Sequence, residues 1–345
     1  MKTIAAALVG AFIAGSAFAQ ELPKTHLRVV GGLANLTAYT DFEKPFWTKT
    51  IPELSKGQVT AEIKGFSEMG LKGPEIITLV SQGVLDFGTT TLSYMAGDNP
   101  INEAIDLAGL APDVKVARQV TEAFEPIYAK FYGGAPKVKV LGISTYPAQV
   151  LFCNAEVRSL ADLKGKKVRT GGRSQAEFVE SIGASSVTLA FGEVVPALQN
   201  KVVDCAITGS LSGYSAKWYE VSTHLYALPI NWNQQVHAVN MKTWAKIDPK
   251  VQAFLQTNVK KLVSDIWDAA ERQTEEGYAC NSGAASCPYP VKGKMLLVQP
   301  TAADLEFLKN VRGDVINKWA ARCSAECVTD FNATVGKLLG VTAKK

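Results

Sequence analysis

Residues 74–90 and 192–208 share one order of polar and apolar positions. Their sequences, PEIITLVSQGVLDFGTT and GEVVPALQNKVVDCAIT, align without gaps. Each begins as a short helix, passes a Gly or Asn near its end, and continues as a β-branched apolar run typical of a buried strand. Pro74 suits the first turn of the first helix. The pattern therefore predicts the same helix–strand unit at two places in the chain.

A candidate strand precedes each unit, at residues 59–66 and 166–172. The second follows SLADLKG, where Ser159 and Asp162 can form a capping box and Gly165 can end the turn. Alternating strands and helices indicate a largely parallel sheet covered by helices. We therefore expect an α/β protein with two similar lobes, each a mixed, mostly parallel sheet flanked by helices.

A long stretch with apolar residues at helical spacing starts after Asp248 and Pro249. It continues to Gly277, where we expect the helix to end. A helix of that length measures about 40 Å, more than one small lobe needs. We therefore expect it to lie across both lobes.

Open α/β sheets bind ligands beyond the carboxyl ends of their strands. This rule places residues 89–94 of one lobe, and residues 169–173 and 207–212 of the other, at one crevice. Arg169 ends a short apolar run there and is followed closely by two glycines. Such an arginine suits either a surface ion pair or the recognition of an anion, and the residues alone leave both interpretations open.

The first twenty residues have the charged, apolar and small-residue order of a secretory signal peptide. Lys2 precedes an apolar run, and Ala17 and Ala19 flank Phe18, so we expect cleavage after Ala19. A membrane anchor is the alternative, but the run is too short to span a bilayer. We assign residues 1–19 to the signal peptide. Because no later segment approaches eighteen uninterrupted apolar residues, we expect a soluble mature protein.

The composition favours a folded protein of two domains. The chain has 345 residues, of which 47% are hydrophobic and 20% charged, so disorder is not expected. The formal net charge is +4, and no stripe of lysine and arginine alternates with aromatic residues. We therefore expect no nucleic acid partner, and the mild positive charge is compatible with a small acidic ligand.

Six cysteines fit the oxidising compartment that an exported protein reaches. Cys280 and Cys287 form one close pair in the sequence, and Cys323 and Cys327 form another. Zinc is the alternative, but the spacing is unlike that of a zinc finger and no histidine lies near. If the second pair is helical, a bond between its members would strain the helix, so we predict cross-links from the first pair to the second. The remaining two cysteines are expected to be buried thiols or one further bridge: Cys153 and Cys205.

The chain resembles the periplasmic solute-binding proteins of TRAP (tripartite ATP-independent periplasmic) transporters, of the C4-dicarboxylate-binding type. The resemblance rests on four motifs in order: DLKGKKVR, FGEVVPALQNKVVDCA, YSAKWYEV and AVNMKTW. It covers most of the mature chain and implies a type II-like two-lobed fold, closure of the lobes around an organic acid, and no catalysis. It also implies delivery of the ligand in the periplasm to membrane permease subunits. We expect a monomer without a cofactor or metal.

Each lobe is expected to combine two parts of the chain. We place lobe I at residues 20–147 plus 235–272, and lobe II at residues 148–234 plus 273–330. Residues 331–345 are treated as a C-terminal tail.

In the TRAP family the arginine that ends the KVR strand holds the ligand carboxylate, and here this residue is Arg169. A guanidinium offers a planar pair of donors that matches the two oxygens of a carboxylate. The glycines that follow let the backbone approach a ligand closely. The resemblance therefore favours anion recognition over a surface ion pair.

Two departures from the family pattern bear on the ligand. Many relatives have a second arginine where this chain has Gln149, and a neutral amide cannot pair a second carboxylate. Relatives often carry Glu-Asn-Pro where this chain has Ile207, Thr208 and Gly209, so a ligand held through a metal ion is not expected. We therefore predict a monocarboxylate bound without a metal.

Aromatic and amide side chains are the other candidates for ligand contacts. Apolar walls with a few placed polar groups suit a larger and flatter acid, such as an aromatic one. Plain core packing is the alternative for each aromatic residue. Asn240 is expected to form hydrogen bonds at a hinge and not with the ligand. The further candidates for the ligand site, besides Thr208, are Trp232, Asn233, Gln235, Tyr94, Phe191, Thr91 and Asn35.

An exported hydrolase is the competing class of protein. The GSLSG sequence at residues 209–213 resembles a nucleophile elbow, but Leu211 occupies the nucleophile position. Ser212 with His237 is a catalytic pair that the sequence alone leaves open. A third alternative keeps the binding site but assigns the protein to a sensor, and the sequence does not separate that role from transport.

Overall fold

The computed structural model describes residues 21–345, so the predicted signal peptide and its cleavage site lie outside the described residues. Within that range the strands are β1 (Thr25–Gly31), β2 (Val59–Gly65), β3 (Phe87–Thr91), β4 (Val138–Ser144), β5 (Gln149–Cys153), β6 (Lys167–Thr170), β7 (Ser185–Thr188), β8 (Cys205–Gly209), β9 (His224–Asn231), β10 (Gln235–Asn240) and β11 (Leu296–Val298). The α-helices are α1 (Ile51–Leu54), α2 (Ile76–Gln82), α3 (Val114–Gly133), α4 (Arg173–Ser181), α5 (Val194–Gln199), α6 (Ser210–Ser215), α7 (Met241–Lys246), α8 (Pro249–Ser282), α9 (Ala302–Arg322), α10 (Ala325–Phe331) and α11 (Lys337–Leu339). Shorter 3-10 turns are Phe66–Met69, Leu92–Met95, Pro100–Glu103, Leu160–Leu163, Phe191–Glu193 and Trp218–Glu220, and π-helical turns are Ala38–Glu43, Phe46–Thr50 and Asn332–Gly336.

The strands form two sheets, one in each lobe. Sheet 1 has the order β2-β1-β3-β10-β4, and sheet 2 has the order β11-β9-β5-β8-β6-β7. In each sheet all strands but one run in the same direction, and the exceptions are β10 in sheet 1 and β5 in sheet 2. The prediction of two α/β lobes with mixed sheets and flanking helices is confirmed.

Each copy of the repeated sequence unit forms a helix and the strand that follows it. The first copy forms α2 and β3, and the second forms α5 and β8. Gly83, with a left-handed φ of 76°, ends α2, whereas Asn200 ends α5. The predicted helix–strand units are therefore confirmed, as is the capping box of Ser159 and Asp162 that precedes β6.

The chain passes between the sheets at two short segments that lie side by side. Residues 145–148 connect β4 to β5, and residues 232–234 connect β9 to β10. The Thr145 hydroxyl donates to the Trp232 carbonyl at 3.3 Å and so joins the two crossing segments. These segments lead into β5 and β10, the two strands that are antiparallel to their neighbours.

The helix α8 is the third connection between the lobes. It has 34 residues, begins at a side-chain cap from Asp248, and ends at Gly283, which has a φ of 82°. The Trp267 indole donates to the Ile143 carbonyl of sheet 1 at 2.9 Å. Farther along, Gly277 packs against the backbone at the start of α6 in the other lobe. The spanning helix is therefore confirmed, but its predicted end at Gly277 is wrong, because that glycine serves close packing and not termination.

The predicted disulfide pairing is wrong. Cys280 bonds to Cys287, and Cys323 bonds to Cys327, so each pair closes on itself. The prediction assumed that the second pair lies within one helix. In fact α9 ends at Arg322, and the first cysteine of that pair has extended backbone (φ −80°, ψ 160°), which leaves the two Cα atoms 6.0 Å apart. A third bridge joins residues that face each other on β5 and β8, namely Cys153 and Cys205.

Two clusters of buried apolar side chains form the core. The smaller lies between sheet 1 and α8 and includes Trp47, Phe87 and Leu255. The larger extends through both lobes, and the C-terminal segment belongs to it through Phe331 and Val335. The proposed domain boundaries within the crossing segments and α8 stay a prediction. Of the helices in residues 21–345, none combines the length and the apolar character needed to cross a membrane.

Candidate functional site

A crevice of about 410 Å³ separates the two lobes. Residues 33–35 and 66–72 line it from the first lobe, and residues 190–195 line it from the second, together with Trp218. Asn35 is exposed at this crevice. Phe191 is buried and stacks on Trp218, with ring centroids 5.4 Å apart and planes inclined by 26°. The structure therefore places two predicted site residues on opposite walls of one crevice.

Arg169 lies in β6 of the second lobe and is 97% buried, with only 3% of its surface exposed. Its Nε and Nη2 atoms donate to the Leu189 carbonyl at 3.0 and 2.9 Å, and Nη1 donates to the Ile207 carbonyl at 2.9 Å. The carbonyl partners come from the segment after β7 and from β8, so the sheet itself fixes the guanidinium. Burial lowers the pKa of Arg169 below its ordinary value.

Two N–H groups of the guanidinium are not bound by these carbonyl groups, and the Tyr94 hydroxyl of the first lobe lies within hydrogen-bonding reach of the guanidinium. An arginine has five N–H donors, and three of them bind the two carbonyl groups, which leaves one on Nη1 and one on Nη2. Within residues 21–345 no carboxylate forms an ion pair with Arg169, since the nearby Glu193 binds Lys72 instead. A Cβ on Gly171 would lie 3.6 Å from Nη1 and 3.7 Å from Nη2, so this glycine keeps backbone close to the two donors without covering them.

Tyr94 of the first lobe reaches the same arginine. Its ring is half-buried under Gly73, and its hydroxyl lies near both Arg169 and Thr91. Burial raises the pKa of Tyr94 above its ordinary value, and the positive charge of Arg169 offsets part of that increase. This contact shows that side chains of both lobes meet at the arginine.

A row of polar side chains continues from Tyr94 along sheet 1. Thr91 lies opposite Gln235 in the pairing of β3 with β10. Gln235 accepts a hydrogen bond at Oε1 from the Tyr146 hydroxyl at 2.8 Å, and the Thr91 hydroxyl lies beside the same tyrosine. The predicted residues Thr91, Tyr94 and Gln235 are therefore brought together, although Tyr146 was not predicted.

Sequence reasoning also missed Glu43, whose side chain is fully buried at the end of β1. Its Oε2 accepts the Gly32 N–H at 3.0 Å, whereas Oε1 has no hydrogen-bond partner among the described residues. Burial raises the pKa of Glu43 to about 7. The sequence signal was a charged residue at helical spacing from the apolar Tyr39 and Phe46, both of which are buried.

Gln149 and Thr208 lie on neighbouring strands of sheet 2 and are both buried. The Gln149 amide donates from Nε2 to the Pro147 carbonyl at 3.0 Å, within the crossing segment. Thr208 follows Ile207, whose carbonyl holds Arg169. Thr208 thus lies on the strand next to β6, and Gln149 lies one strand farther away. Gln149 also hydrogen-bonds to the crossing segment.

Trp232 makes its contacts away from the residues around Arg169. Its indole donates from Nε1 to the Ala111 carbonyl at 3.1 Å, and its ring lines a separate surface pocket with Tyr278 and Glu271. Asn233, next to it, has a left-handed φ of 58° and accepts the Ser93 hydroxyl at 2.8 Å. Trp232 and Asn233 therefore both make contacts that fix the crossing segment in place.

Asn240 hydrogen-bonds to backbone, as predicted. Its Oδ1 accepts the N–H groups of Lys242 and Thr243 at the start of α7, and its Nδ2 donates to the Val80 carbonyl at 2.7 Å. It joins β10, α7 and α2 and takes no part in the crevice.

His237 does not form a catalytic pair with Ser212 in the described structure. One ring nitrogen of the histidine bonds to the Thr89 hydroxyl at 3.1 Å, and the other bonds to the Ser144 hydroxyl at 2.8 Å. Burial lowers the pKa of His237 to about 4, so it is neutral at physiological pH. Both ring nitrogens are therefore used within sheet 1, while Ser212 lies in α6 of the other lobe.

Two α/β lobes, a helix that spans them, and a buried arginine that meets a tyrosine of the other lobe are the architecture of a two-lobed solute receptor. The profile of bacterial extracellular solute-binding protein family 7 (DctP) matches residues 34–282, and the chain belongs to that family. Its members are periplasmic proteins that bind small organic ligands and deliver them to the membrane permease of TRAP transporters. The family consists of receptors and not of enzymes.

Characterised relatives are distant in sequence. A solute-binding protein of Sulfitobacter sp. strain NAS-14.1 is 27% identical over 251 residues, which are 71% of this chain and 75% of the relative. The sialic acid-binding periplasmic protein SiaP of Vibrio cholerae is 24% identical over 281 residues, or 79% of this chain and 85% of that protein.

Solved structures share the fold over nearly the whole chain. DctP7 of Bordetella pertussis, a receptor that binds pyroglutamic acid, has a TM-score of 0.80 at 18% identity and covers 90% of this chain and 99% of its own. A TRAP receptor from Desulfovibrio salexigens with bound orotic acid has a TM-score of 0.79 at 20% identity, with coverages of 91% and 100%. At these identities the likeness establishes the architecture.

Proposed function

We propose that this receptor binds a small monocarboxylate in the crevice between its lobes and that Arg169 fixes the carboxylate of the ligand. The supporting observation is the pair of N–H groups on Nη1 and Nη2 of the buried Arg169 that no carbonyl or carboxylate within residues 21–345 binds, with only the neutral Tyr94 hydroxyl beside them. A buried cation without an anionic partner is unfavourable, and a carboxylate supplies both the charge and the two acceptors that it needs.

The other groups around the arginine favour a single carboxylate. Tyr94, Thr91 and Gln235 are neutral at physiological pH, and Gln149 stands where many relatives carry a second arginine. No second guanidinium therefore balances a second carboxylate. In the same lobe as Arg169, Phe191 stacks on Trp218 and gives the crevice an aromatic lining. This combination suits a cyclic acid, and two structurally similar receptors bind the cyclic acids pyroglutamic acid and orotic acid.

Capture occurs by closure of the lobes. The acid makes contacts with both lobes only when they are together, so it favours the closed state over the open one. Tyr94 from the first lobe and Arg169 from the second are the groups that such a ligand joins. The closed receptor, as a monomer, then docks on the permease subunits of the transporter.

A thermal-shift screen of mono- and dicarboxylic acids tests this function. A ligand at 100 times its Kd stabilises the folded state by about 2.7 kcal/mol, so a true ligand gives a clear increase in Tm. We expect monocarboxylates with a ring to respond, and the response to disappear in Arg169→Lys, which keeps the charge but loses the planar pair of donors. Arg28→Gln, at an exposed arginine paired with Asp86, is the control and should respond like the wild type. Stabilisation by succinate with no response to any monocarboxylate would contradict the proposal.

A further inference from the structure

A row of buried hydrogen bonds begins at the glycine turn beside Arg169. The Gly171 N–H donates to Gln175 Oε1 at 2.8 Å. Gln175, in the first turn of α4, then donates from Nε2 to Asn231 Oδ1 at 3.0 Å. The row thereby passes from β6 and α4 to the end of β9.

The same row continues into the crossing segment. Asn231 donates from Nδ2 to Asp106 Oδ2 at 2.6 Å. Asp106 accepts the backbone N–H of Trp232 at 2.8 Å and that of Asn233 at 2.9 Å. These two N–H groups belong to the segment that leads from the second lobe back to the first. We refer to Gln175, Asn231 and Asp106 as the relay.

All three side chains of the relay are buried, with exposures of 3%, 4% and 6%. In such surroundings each polar group depends on its partners, because an unpaired buried donor or acceptor costs about 1–3 kcal/mol. A change in the position of one member therefore cannot occur without a response from the next. The relay therefore connects its two ends through an unbroken series of buried hydrogen bonds.

A second contact joins the same two ends from the other lobe. Ser93 donates from Oγ to Asn233 Oδ1 at 2.8 Å. Its Cβ lies only 2.9 Å from the position that a Cβ on Gly172 would occupy. The glycine turn and the crossing segment are thus connected on one side by the relay and on the other by Ser93, which is the residue before Tyr94.

We infer that the relay couples the turn beside Arg169 to the crossing segment, so that occupation of the arginine and the angle between the lobes depend on one another. The second half of this statement rests on the proposed function. A carboxylate on Arg169 restrains the turn at residues 170–172, the relay transmits that restraint to Trp232 and Asn233, and the crossing segment favours the closed angle. Gln175, Asn231 and Asp106 are therefore positioning residues that touch no ligand.

Hydrogen exchange without ligand tests the coupling directly. Gln175→Met keeps the length of the side chain and removes both of its hydrogen bonds. We expect the amides of Gly171, Trp232 and Asn233 to exchange about tenfold faster in this variant, although the side chain of residue 175 hydrogen-bonds to neither of the last two. Tyr132→Phe is the matched control, since it removes one buried hydrogen bond, to Asn102, and leaves the relay intact. Unchanged exchange at Trp232 and Asn233 in Gln175→Met, or equal acceleration in the control, overturns the inference.

The same measurement is then repeated with the acid that gives the largest shift in the thermal screen. In the wild type the acid should slow exchange at Trp232 and Asn233, and in Gln175→Met it should slow exchange near Arg169 but no longer at those two amides. Equal slowing in both proteins overturns the link to ligand binding. If the wild type binds no acid at all, the proposed function fails, whereas the coupling of turn and crossing segment is decided by the ligand-free result.

Discussion

Lys72 of the first lobe and Glu193 of the second form an ion pair across the mouth of the crevice, with 2.6 Å between Nζ and Oε1. Both residues line the crevice, and both side chains are largely exposed. Glu193 also accepts the Ala190 N–H through Oε2, so the pair is anchored at the start of the turn that leads into α5. The pair therefore joins the two lobes directly, without a ligand between them.

Lys72→Met should weaken this closure while it leaves the guanidinium of Arg169 in place. Because exposed ion pairs contribute little, we expect dissociation of the bound acid to become at most about fivefold faster, with the difference shrinking at high salt. Stopped-flow displacement measures the rate. Lys309→Met breaks an exposed pair with Glu306 inside a single helix and should leave the rate unchanged. An acceleration that does not shrink at high salt, or the same acceleration in the control, would mean that the pair does not act as an ionic contact between the lobes.

Gly277→Ala should destabilise the protein, although it replaces a glycine inside a helix. A Cβ at this position would collide with the backbone of Ser210 and Leu211, and overpacking of this kind costs about 1–3 kcal/mol. Gly313→Ala, in α9, meets nothing within 4 Å and should stabilise the protein by about 0.5–1 kcal/mol. Urea unfolding of both variants gives the two free energies, and a stabilising effect at residue 277 would refute the packing role.

The disulfides should differ in their contribution to stability because they close chain segments of different length. The bridge between Cys153 and Cys205 spans 52 residues, and its removal by a double alanine substitution should cost about 4 kcal/mol. The bridge between Cys323 and Cys327 spans four, and the same substitution there should cost about 2 kcal/mol. All four cysteines are buried, so the effects on packing are similar. Equal costs in urea unfolding would show that chain entropy does not set the order.

Glu43 should make part of the stability depend on pH. Its pKa is raised to about 7 by burial, so the folded state prefers the protonated carboxyl. This contribution is complete below about pH 4.5 and is lost as the pH rises through 7. In Glu43→Gln the contribution does not titrate, while an amide oxygen can still accept the Gly32 N–H.

The Tm of the wild type relative to Glu43→Gln should therefore fall by about 5 °C between pH 5 and pH 8. The shifts of Asp106 and His237, whose pKa values are about 7 and 4, are present in both proteins and cancel in the comparison. A difference in Tm that does not change with pH would contradict the assignment of Glu43 as the titrating group.

The fold was predictable because its signals are local. A repeated order of apolar positions gave α2 with β3 and α5 with β8, and the capping box at Ser159 appears where the sequence places it. The spanning helix followed from spacing alone. Its end did not, because Gly277 has the sequence signature of a helix terminus but is required by contact with the other lobe.

The site was predictable only in part. Arg169, Tyr94, Thr91 and Gln235 come together because strand ends of the two lobes converge between the sheets, a consequence of topology that the sequence pattern already contains. The contacts of Trp232 depend on the side of the crossing segment on which its ring lies. The periodicity of the sequence does not indicate that side. The pairing of Cys323 with Cys327 was missed because α9 ends at Arg322, whereas the pattern placed both cysteines within one helix.

The two crossing segments enter interior strands, β10 between β3 and β4 and β5 between β9 and β8. A rotation at either segment would therefore be carried to strands on both sides of the strand that it enters. We expect bending to concentrate at residues 145–148 and 232–234, none of which lines the crevice. Substitution of side chains at the strand ends can thus alter which acid is held without changing the backbone path between the lobes.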